Sequence, residues 1–217
     1  MSDHLPAGDA PLRSSTVDDY LHRLAGRVPA PGGGATAALH AAQAAALLGM
    51  VARYTTGTRY AEHAEAVERI TVASDELRER SLQLAEDDAA AFTAVTDAYA
   101  LPKSTQDEKA ARSEAIATAL AGAATPPARV IEAALETVEL AMDLLPVCNR
   151  NVVSDVAAAA EAARAAATTS RVNVEINLPG VKDRALRAEL TATAGRAGTV
   201  AGHADEITAA VREEIAS

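Results

Sequence analysis

A stretch of the chain that contains no Asp, Glu, Lys or Arg follows directly on three consecutive glycines. The glycines are Gly32, Gly33 and Gly34, preceded by Pro31, and the uncharged stretch covers residues 35–52. Glycine in regular structure costs about 0.5–1 kcal/mol relative to alanine, yet alanine makes up about a quarter of this chain. The pattern therefore predicts a bare backbone loop that leads into a buried helix, where unpaired N–H groups face a polar or anionic partner. On this pattern alone, a purely structural turn is an equal alternative.

The composition of the chain favours an all-α fold. Only 2% of the residues are aromatic, tryptophan is absent, and β-branched and aromatic residues are what strands prefer. A core of small side chains requires helices to approach one another closely. We therefore expect a multi-helix up-and-down bundle with long helices. A flexible tail over residues 1–14 is expected to precede one helical domain over residues 15–217.

Hydrophobic spacing and helix-breaking residues predict the helices. An apolar helix, the second along the chain, is expected over residues 35–54. Residues 60–100 have helical spacing throughout, and because forty helical residues span about 60 Å, a kink or break is expected there. Pro126-Pro127 are expected to begin a new helix. Residues 172–178 alternate like a strand without a partner, which indicates a helix end or an extended loop.

Charge and cysteine content exclude several classes of protein. The net charge of −10 argues against a nucleic-acid partner, because no basic stripe is present to neutralise phosphates. Cys148 is the only cysteine, and the five histidines show no metal-binding spacing. Residues 35–52 are long enough for a membrane span, but His40 and Gln43 favour a buried core helix. We expect a cytoplasmic protein with no metal, membrane or nucleic-acid partner.

A carboxylate in the long third helix is a candidate for acid–base chemistry. Asp88 shares a helical face with Leu84 and Phe92, four residues away on either side. A carboxylate on an apolar face tends towards burial and a raised pKa, which suits proton transfer. Its neighbours Glu86 and Asp87 support the alternative that these acids form a solvated surface.

Two further polar groups are ambiguous by themselves. Asn149, Asn151 and Asp155 lie within eight residues that also contain Arg150 and Ser154. This cluster could bind a polar ligand, or it could simply cap the start of a helix. A lysine that follows Leu101-Pro102 could likewise bind an anion or be an ordinary surface charge.

Taken together, these segments resemble the formimidoyltetrahydrofolate cyclodeaminase / methenyltetrahydrofolate cyclohydrolase family. The resemblance covers about residues 15–185, with the motifs in the family's order. Cys148, where the family often has glycine, and Arg59, where it often has a lysine-rich stretch, depart from the pattern. The motifs are Pro29-Ala30-Pro31-Gly32-Gly33-Gly34, Gly49-Met50-Val51, residues 55–60, residues 88–92, Leu101-Pro102-Lys103, Asn149-Arg150-Asn151, Ser154-Asp155 and residues 173–178.

The resemblance implies an all-helical homodimer that acts on a one-carbon unit carried by tetrahydrofolate, with no further cofactor. The expected reaction is hydrolysis of 5,10-methenyltetrahydrofolate to formyltetrahydrofolate. One alternative is the cyclodeaminase reaction, which closes the ring of formimidoyltetrahydrofolate and releases ammonia. The other alternative is a non-catalytic folate-binding helical dimer.

The resemblance also assigns roles to residues. Asp88 and Asp155 are the catalytic candidates, with Asp88 as the acid–base group. Gly32, Gly33 and Gly34 would bring backbone N–H groups close to the folate. The remaining substrate-binding candidates would hydrogen-bond the pterin or pair with the glutamate carboxylates: Asn149, Asn151, Lys103 and Arg59.

Overall fold

The computed structural model describes residues 11–217, and every regular element in that part of the chain is helical. This confirms the all-α prediction. Short 3-10 turns connect several of the helices. The seven α-helices are α1 (Val17–Ala25), α2 (Gly33–Tyr54), α3 (Ala64–Ala100), α4 (Gln106–Leu144), α5 (Val153–Asn177), α6 (Arg184–Gly195) and α7 (Ala197–Ala216).

Helices α2 to α5 form an up-and-down four-helix bundle. Each packs against its two neighbours in the ring, and α2 and α4 also touch across the centre. Successive helices are antiparallel: the N-terminus of α2 lies beside Asp88 of α3 and Asn173 of α5. At the other end, the Tyr54 carbonyl of α2 accepts a hydrogen bond from Asn149, just before α5 begins.

Helix α2 is the central helix, as its apolar sequence predicts. Twelve of its residues are buried, most of them alanine. Among the described residues it is the one helix long and apolar enough to cross a membrane. Of its apolar 18-residue stretch, 61% is buried inside the protein. Ala38, Ala42 and Ala46 follow one another at four-residue spacing on α2, but only Ala38 and Ala42 are buried, whereas Ala46 is exposed.

Helices α6 and α7 cover one flank of the bundle, against α4 and α5. They are held by a short apolar seam that includes Leu190, Val200 and Ile207, all buried. Among residues 11–217, no helix covers the corresponding flank formed by α2 in this way.

The glycine motif begins the helix earlier than predicted. Helix α2 starts at Gly33, so Gly33 and Gly34 form its first turn and only Gly32 precedes it, as the N-cap. The expected loop is therefore two residues shorter, and the first two glycines of the helix must be explained by their neighbours.

The break expected within residues 60–100 is absent, and the prediction that Pro126-Pro127 begin a new helix is wrong. Helix α3 is a single element of 37 residues, and α4 continues through Pro126 and Pro127 for 39 residues. Both prolines are buried. The packing of α4 on the other helices, α2, α3 and α5 to α7, keeps it regular where the missing amide hydrogens would otherwise break it.

The long helices extend beyond the bundle as a hairpin arm, residues 89–122. Within this arm only Ala98 is buried, because α2 and α5 do not reach that far. Thr105 and Glu108 form a capping box that begins α4. Lys103 lies at the tip of the arm.

The first ten residues of the predicted flexible tail lie outside the described part of the chain. The following residues pack on the bundle as a turn, Leu12–Ser14, in which Leu12 is buried. The backbone N–H of Arg13 donates to Glu86 over 2.9 Å, and its guanidinium pairs with Glu79. The alternating segment 172–178 is the end of α5, one of the two predicted alternatives.

Candidate active site

Asp88 is held against the first turn of α2. A Cβ built on Gly34 would overlap Oδ1 and Cγ of Asp88 and would lie 2.6 Å from Oδ2. The carboxyl group therefore fills the space that any side chain at position 34 would need. The backbone N–H of Ala35 donates a hydrogen bond to it. At least one of the free N–H groups at the start of α2 is thus bound by the protein's own carboxylate.

Burial raises the pKa of Asp88 above the ordinary value of 3.8, and the hydrogen bond from Ala35 only partly opposes that rise. The carboxyl group is partly buried, so one side stays accessible. Leu84 is buried beside it, but Phe92 is exposed on the arm. Asp88 is therefore able to accept or donate a proton at higher pH than a solvated aspartate.

Asn173 of α5 flanks the same helix start on another side. Its Nδ2 would lie 3.8 Å from a Cβ on Gly33, and it donates to the Thr169 carbonyl over 2.9 Å. We refer to Gly33, Gly34, Asp88 and Asn173 as the Asp88 cluster. It brings together an amide, a carboxyl group and a bare backbone at one end of α2.

A second polar group lies at the opposite end of α2. Asn149 donates from Nδ2 to the Tyr54 carbonyl over 2.8 Å, and its backbone N–H donates to Thr55 Oγ1 over 3.0 Å. Its Oδ1 accepts from the backbone N–H of Asn151 over 3.1 Å. Asn149 thus ties the end of α2 to the start of α5. Asp155 follows in the first turn of α5. We refer to Asn149, Asn151 and Asp155 as the Asn149 group.

A cavity of about 490 Å³ opens beside this second group. It is lined by the end of α2, the following turn and the start of α3. Thr55, Gly57 and Tyr60 contribute to its wall, together with Glu68 and Thr71. This cavity is polar enough and large enough to hold part of a small ligand.

The predicted basic residues are exposed and do not reach Asp88. Arg59 lies over the ring of its neighbour Tyr60, with its guanidinium carbon 5.6 Å from the ring centre. It lies at the Asn149 end of the bundle. Lys103, at the tip of the arm, lies about 20 Å beyond Asp88 along α3.

The structure places the predicted site residues at two opposite ends of the bundle. Gly32, Gly33, Gly34 and Asp88 lie at the start of α2, whereas Asn149, Asn151, Asp155 and Arg59 lie near its end. The 22 residues of α2 separate these groups by about 30 Å. Among residues 11–217, no group of three or more His, Cys, Asp or Glu side chains is placed to hold a metal ion.

Residues 16–196 match the formiminotransferase-cyclodeaminase family. The chain belongs to this family. The resemblance inferred from the motifs is thereby confirmed, and the match contains the Asp88 cluster and the Asn149 group alike.

Named relatives of this family member include both hydrolases and cyclodeaminases. It is 37% identical over 177 residues to a methenyltetrahydrofolate cyclohydrolase of Methylorubrum extorquens, covering 81% of this chain and 85% of the relative. It is 31% identical over 173 residues to the mouse formimidoyltransferase-cyclodeaminase, covering 79% of this chain but only 32% of the relative. The formiminotetrahydrofolate cyclodeaminase of Thermotoga maritima has a similar fold, with a TM-score of 0.82, 28% identity, and coverage of 94% of this chain and 98% of that one.

Asn173, a member of the Asp88 cluster, and its neighbour Asn177 were not singled out as site residues from the sequence. Both lie in the alternating segment that contributed to the family resemblance. A helical register through that segment would have placed the two asparagines on one face, four residues apart. The strand-like alternation of Val172, Val174 and Ile176 obscured this relationship.

Proposed function

We propose that this protein is a folate one-carbon enzyme that hydrolyses 5,10-methenyltetrahydrofolate to formyltetrahydrofolate, with Asp88 as its acid–base group. The observation that carries the proposal is the Asp88 carboxyl group, partly desolvated and fixed against the bare first turn of α2. The cyclohydrolase relative matches over most of both chains, which supports hydrolysis over deamination.

The hydrolysis needs one group that takes a proton and returns it. The Asp88 carboxylate accepts a proton from water as the water oxygen bonds to the methenyl carbon. In the tetrahedral intermediate, the bond from that carbon to one of the two folate nitrogens then breaks. The freed nitrogen takes the proton from Asp88, and the hydroxyl proton leaves to solvent as the formyl group forms.

The cyclodeaminase reaction is the second candidate, because the structurally similar Thermotoga protein and the mouse relative are named for it. The attacking folate nitrogen would bond to the formimino carbon while its proton passes to the formimino nitrogen, which becomes an amine. A protonated Asp88 would then donate to that amine, which leaves as ammonia as its bond to the carbon breaks and the methenyl cation forms. A raised pKa of Asp88 favours such a donor. A folate-binding dimer without catalysis is the remaining alternative.

We further propose that two copies pair through the uncovered flank of α2. This flank is apolar with few charges and includes Leu39, His40, Gln43, Ala46 and Leu47, which are exposed or only partly buried. A two-fold axis across α2 places the start of one helix beside the end of the other. Such pairing would bring the Asp88 cluster of one protomer towards the Asn149 group of its partner.

The pairing provides a place for every predicted binding residue that the protomer separates from Asp88. Asn149, Asn151 and Asp155 of the second copy would orient the folate, and Arg59 would meet its glutamate carboxylates. Lys103, at the tip of the arm, would also pair with the glutamate carboxylates. The proposal also places the enzyme in the cytoplasm, with the tetrahydrofolate derivative as its substrate and no further cofactor.

One absorbance experiment distinguishes the candidate functions. The purified protein is incubated separately with 5,10-methenyltetrahydrofolate and 5-formimidoyltetrahydrofolate, and the methenyl absorbance is followed. Loss of absorbance with the first substrate, above the uncatalysed rate, supports hydrolysis. A gain with the second supports the cyclodeaminase. No change with either, while folate still binds in a titration, would leave the non-catalytic alternative.

A further inference from the structure

Helix α4 contains two consecutive prolines in a region where its backbone is fully helical. Pro126 and Pro127 have no amide hydrogen, so the carbonyls of Gly122 and Ala123, four residues earlier, lose their helical hydrogen bonds. A carbonyl left without a donor inside a protein is costly. Gly122 is exposed, so water can replace its lost hydrogen bond, whereas Ala123 is partly buried and a donor from the protein can serve as the replacement.

Asn177, the last residue of α5, supplies one. Its Nδ2 makes a long hydrogen bond of 3.4 Å to the Ala123 carbonyl and a shorter one of 2.9 Å to the Asn173 carbonyl. The side chain thereby joins the last turn of α5 to the carbonyl that Pro127 leaves free. The turn that follows α5 also packs closely on α4. A Cβ on Gly180 in this turn would lie 2.9 Å from Leu120 Cβ.

The same turn of α5 contains Asn173, whose amide lies beside Gly33. Gly33 in turn precedes Gly34, whose missing side chain makes room for Asp88. The contacts therefore form one connected series from the proline-freed carbonyl to the proposed acid–base group. A displacement of the last turn of α5 would move Asn173 away from the start of α2.

We propose that Asn177 is a positioning residue of the Asp88 site, which fixes Asn173 beside Gly33 through the carbonyl that Pro127 frees. This inference rests on the proposed function. Asn177 touches neither Asp88 nor the reacting atoms. Its effect on the reaction passes through Asn173, whose amide would contact the folate beside Asp88.

A merely structural role would give Asn177 one task, the satisfaction of the Ala123 carbonyl that Pro127 leaves free. Pro127→Ala separates the two roles, because it restores a backbone N–H that can bond to Ala123. A carbonyl oxygen accepts two hydrogen bonds, so Asn177 keeps its contact in this variant, which becomes the reference. Asn177→Ala added to Pro127→Ala then removes the bridge without leaving the carbonyl unpaired.

The experiment compares Pro127→Ala with the double variant Pro127→Ala/Asn177→Ala. We expect equal melting temperatures within a few degrees, but a kcat lower by about tenfold or more in the double variant, with a smaller change in KM. Asn177→Ala alone should lose both stability and activity. Equal kcat values in the reference and the double variant would overturn the inference.

A second measurement requires no substrate and separates this inference from the proposed function. The Asn173 side-chain amide resonances and the backbone amide resonances of Gly33 and Gly34 are compared between the same two variants. We expect them to shift in the double variant. Unchanged resonances would overturn the positioning role even if the wild type processed neither folate, an outcome that would separately reject the proposed function.

Discussion

The carboxyl group of Asp88 occupies the volume in which any residue other than glycine at position 34 would place its Cβ. This relationship explains why a chain so rich in alanine keeps glycine in the first turn of its central helix. It also links the most conspicuous sequence motif to the proposed acid–base group.

Gly34→Ala should therefore inactivate the enzyme although alanine is the better helix former. The new methyl group overlaps Oδ1 and Cγ of Asp88, so the carboxyl group must leave the start of α2. We expect kcat to fall by about a hundredfold. Gly198→Ala is the matched control, because a Cβ at that position meets nothing within 4 Å. Full activity in Gly34→Ala would show that the placement of Asp88 does not matter.

Gly32→Ala tests whether the glycine loop itself touches the folate. Its backbone is extended, and a Cβ there meets no protein atom within 4 Å. We expect an unchanged melting temperature. If the ligand lies against this backbone, as proposed, the added methyl group should raise KM several-fold, as measured by initial rates. An unchanged KM would remove Gly32 from the binding surface.

Asp88→Asn should abolish turnover while folate binding is largely retained. The amide still accepts the hydrogen bond from Ala35 but can no longer take up a proton. Asp87→Asn is the control, since the Asp87 carboxylate accepts from Gln83 over 3.0 Å and takes no part in the proposed reaction. Wild-type kcat in the Asp88 variant, measured by methenyl absorbance, would exclude Asp88 from the mechanism.

The raised pKa of Asp88 predicts two pH effects with a defined sign. If the carboxylate is the base, kcat/KM should fall as pH decreases through a value above the ordinary 3.8. Because the folded state holds this proton more tightly, the stabilisation it provides exists below pH 3.8 and is lost as pH rises through the folded-state pKa. Asp88→Asn should therefore melt at an equal or higher temperature than wild type at neutral pH. A lower one would contradict this.

The proposed pairing of two copies predicts complementation between inactive variants. Asp88 lies beside the start of α2 and Asp155 lies near its end. Asp88→Asn and Asp155→Asn therefore change groups at opposite ends of that helix. When the two proteins are mixed and allowed to exchange subunits, half of the dimers should be mixed, and each mixed dimer should contain one intact site. We expect about a quarter of wild-type activity from random pairing. No recovery, with mixed dimers demonstrated by mass spectrometry, would place both residues in the same protomer's site.

Thr105 and Glu108 form the capping box at the start of α4, near the tip of the arm. Loss of this cap should destabilise the arm locally. Thr105→Ala removes the side chain that accepts from the Glu108 backbone and should cost about 1 kcal/mol. Hydrogen exchange should increase in the arm more than in the bundle. Ser104→Ala is the control, because only the Ser104 backbone N–H takes part, donating to Glu108 over 2.7 Å. A uniform increase over the whole chain would contradict a local role.

The fold class, the capping residues and the family could all be predicted from local features of the chain. Thr105 and Glu108 form a cap that a sequence can reveal, because a capping box depends on residues three apart. The family followed from several motifs in a fixed order, and the match over residues 16–196 confirmed it. The reaction class follows from the family, whereas the roles of individual residues stay predictions.

Helix continuity could not be predicted from local features. Proline normally ends a helix, and Pro126-Pro127 were expected to begin one, but packing against the neighbouring helices keeps α4 unbroken. The length of α3 indicated a kink because a lone domain seemed too small for it. A hairpin with α4 accommodates that length by extending beyond the bundle.

The sequence by itself determined which residues could do chemistry and which backbone could come close to another group. Only the tertiary structure decided their neighbours. It placed Asp88 against Gly34, although they are far apart in the chain, and it kept Asn149 and Asp155 about 30 Å away at the other end of α2. Spacing along a helix fixes which face a residue occupies, but the packing of antiparallel helices decides which faces and ends meet.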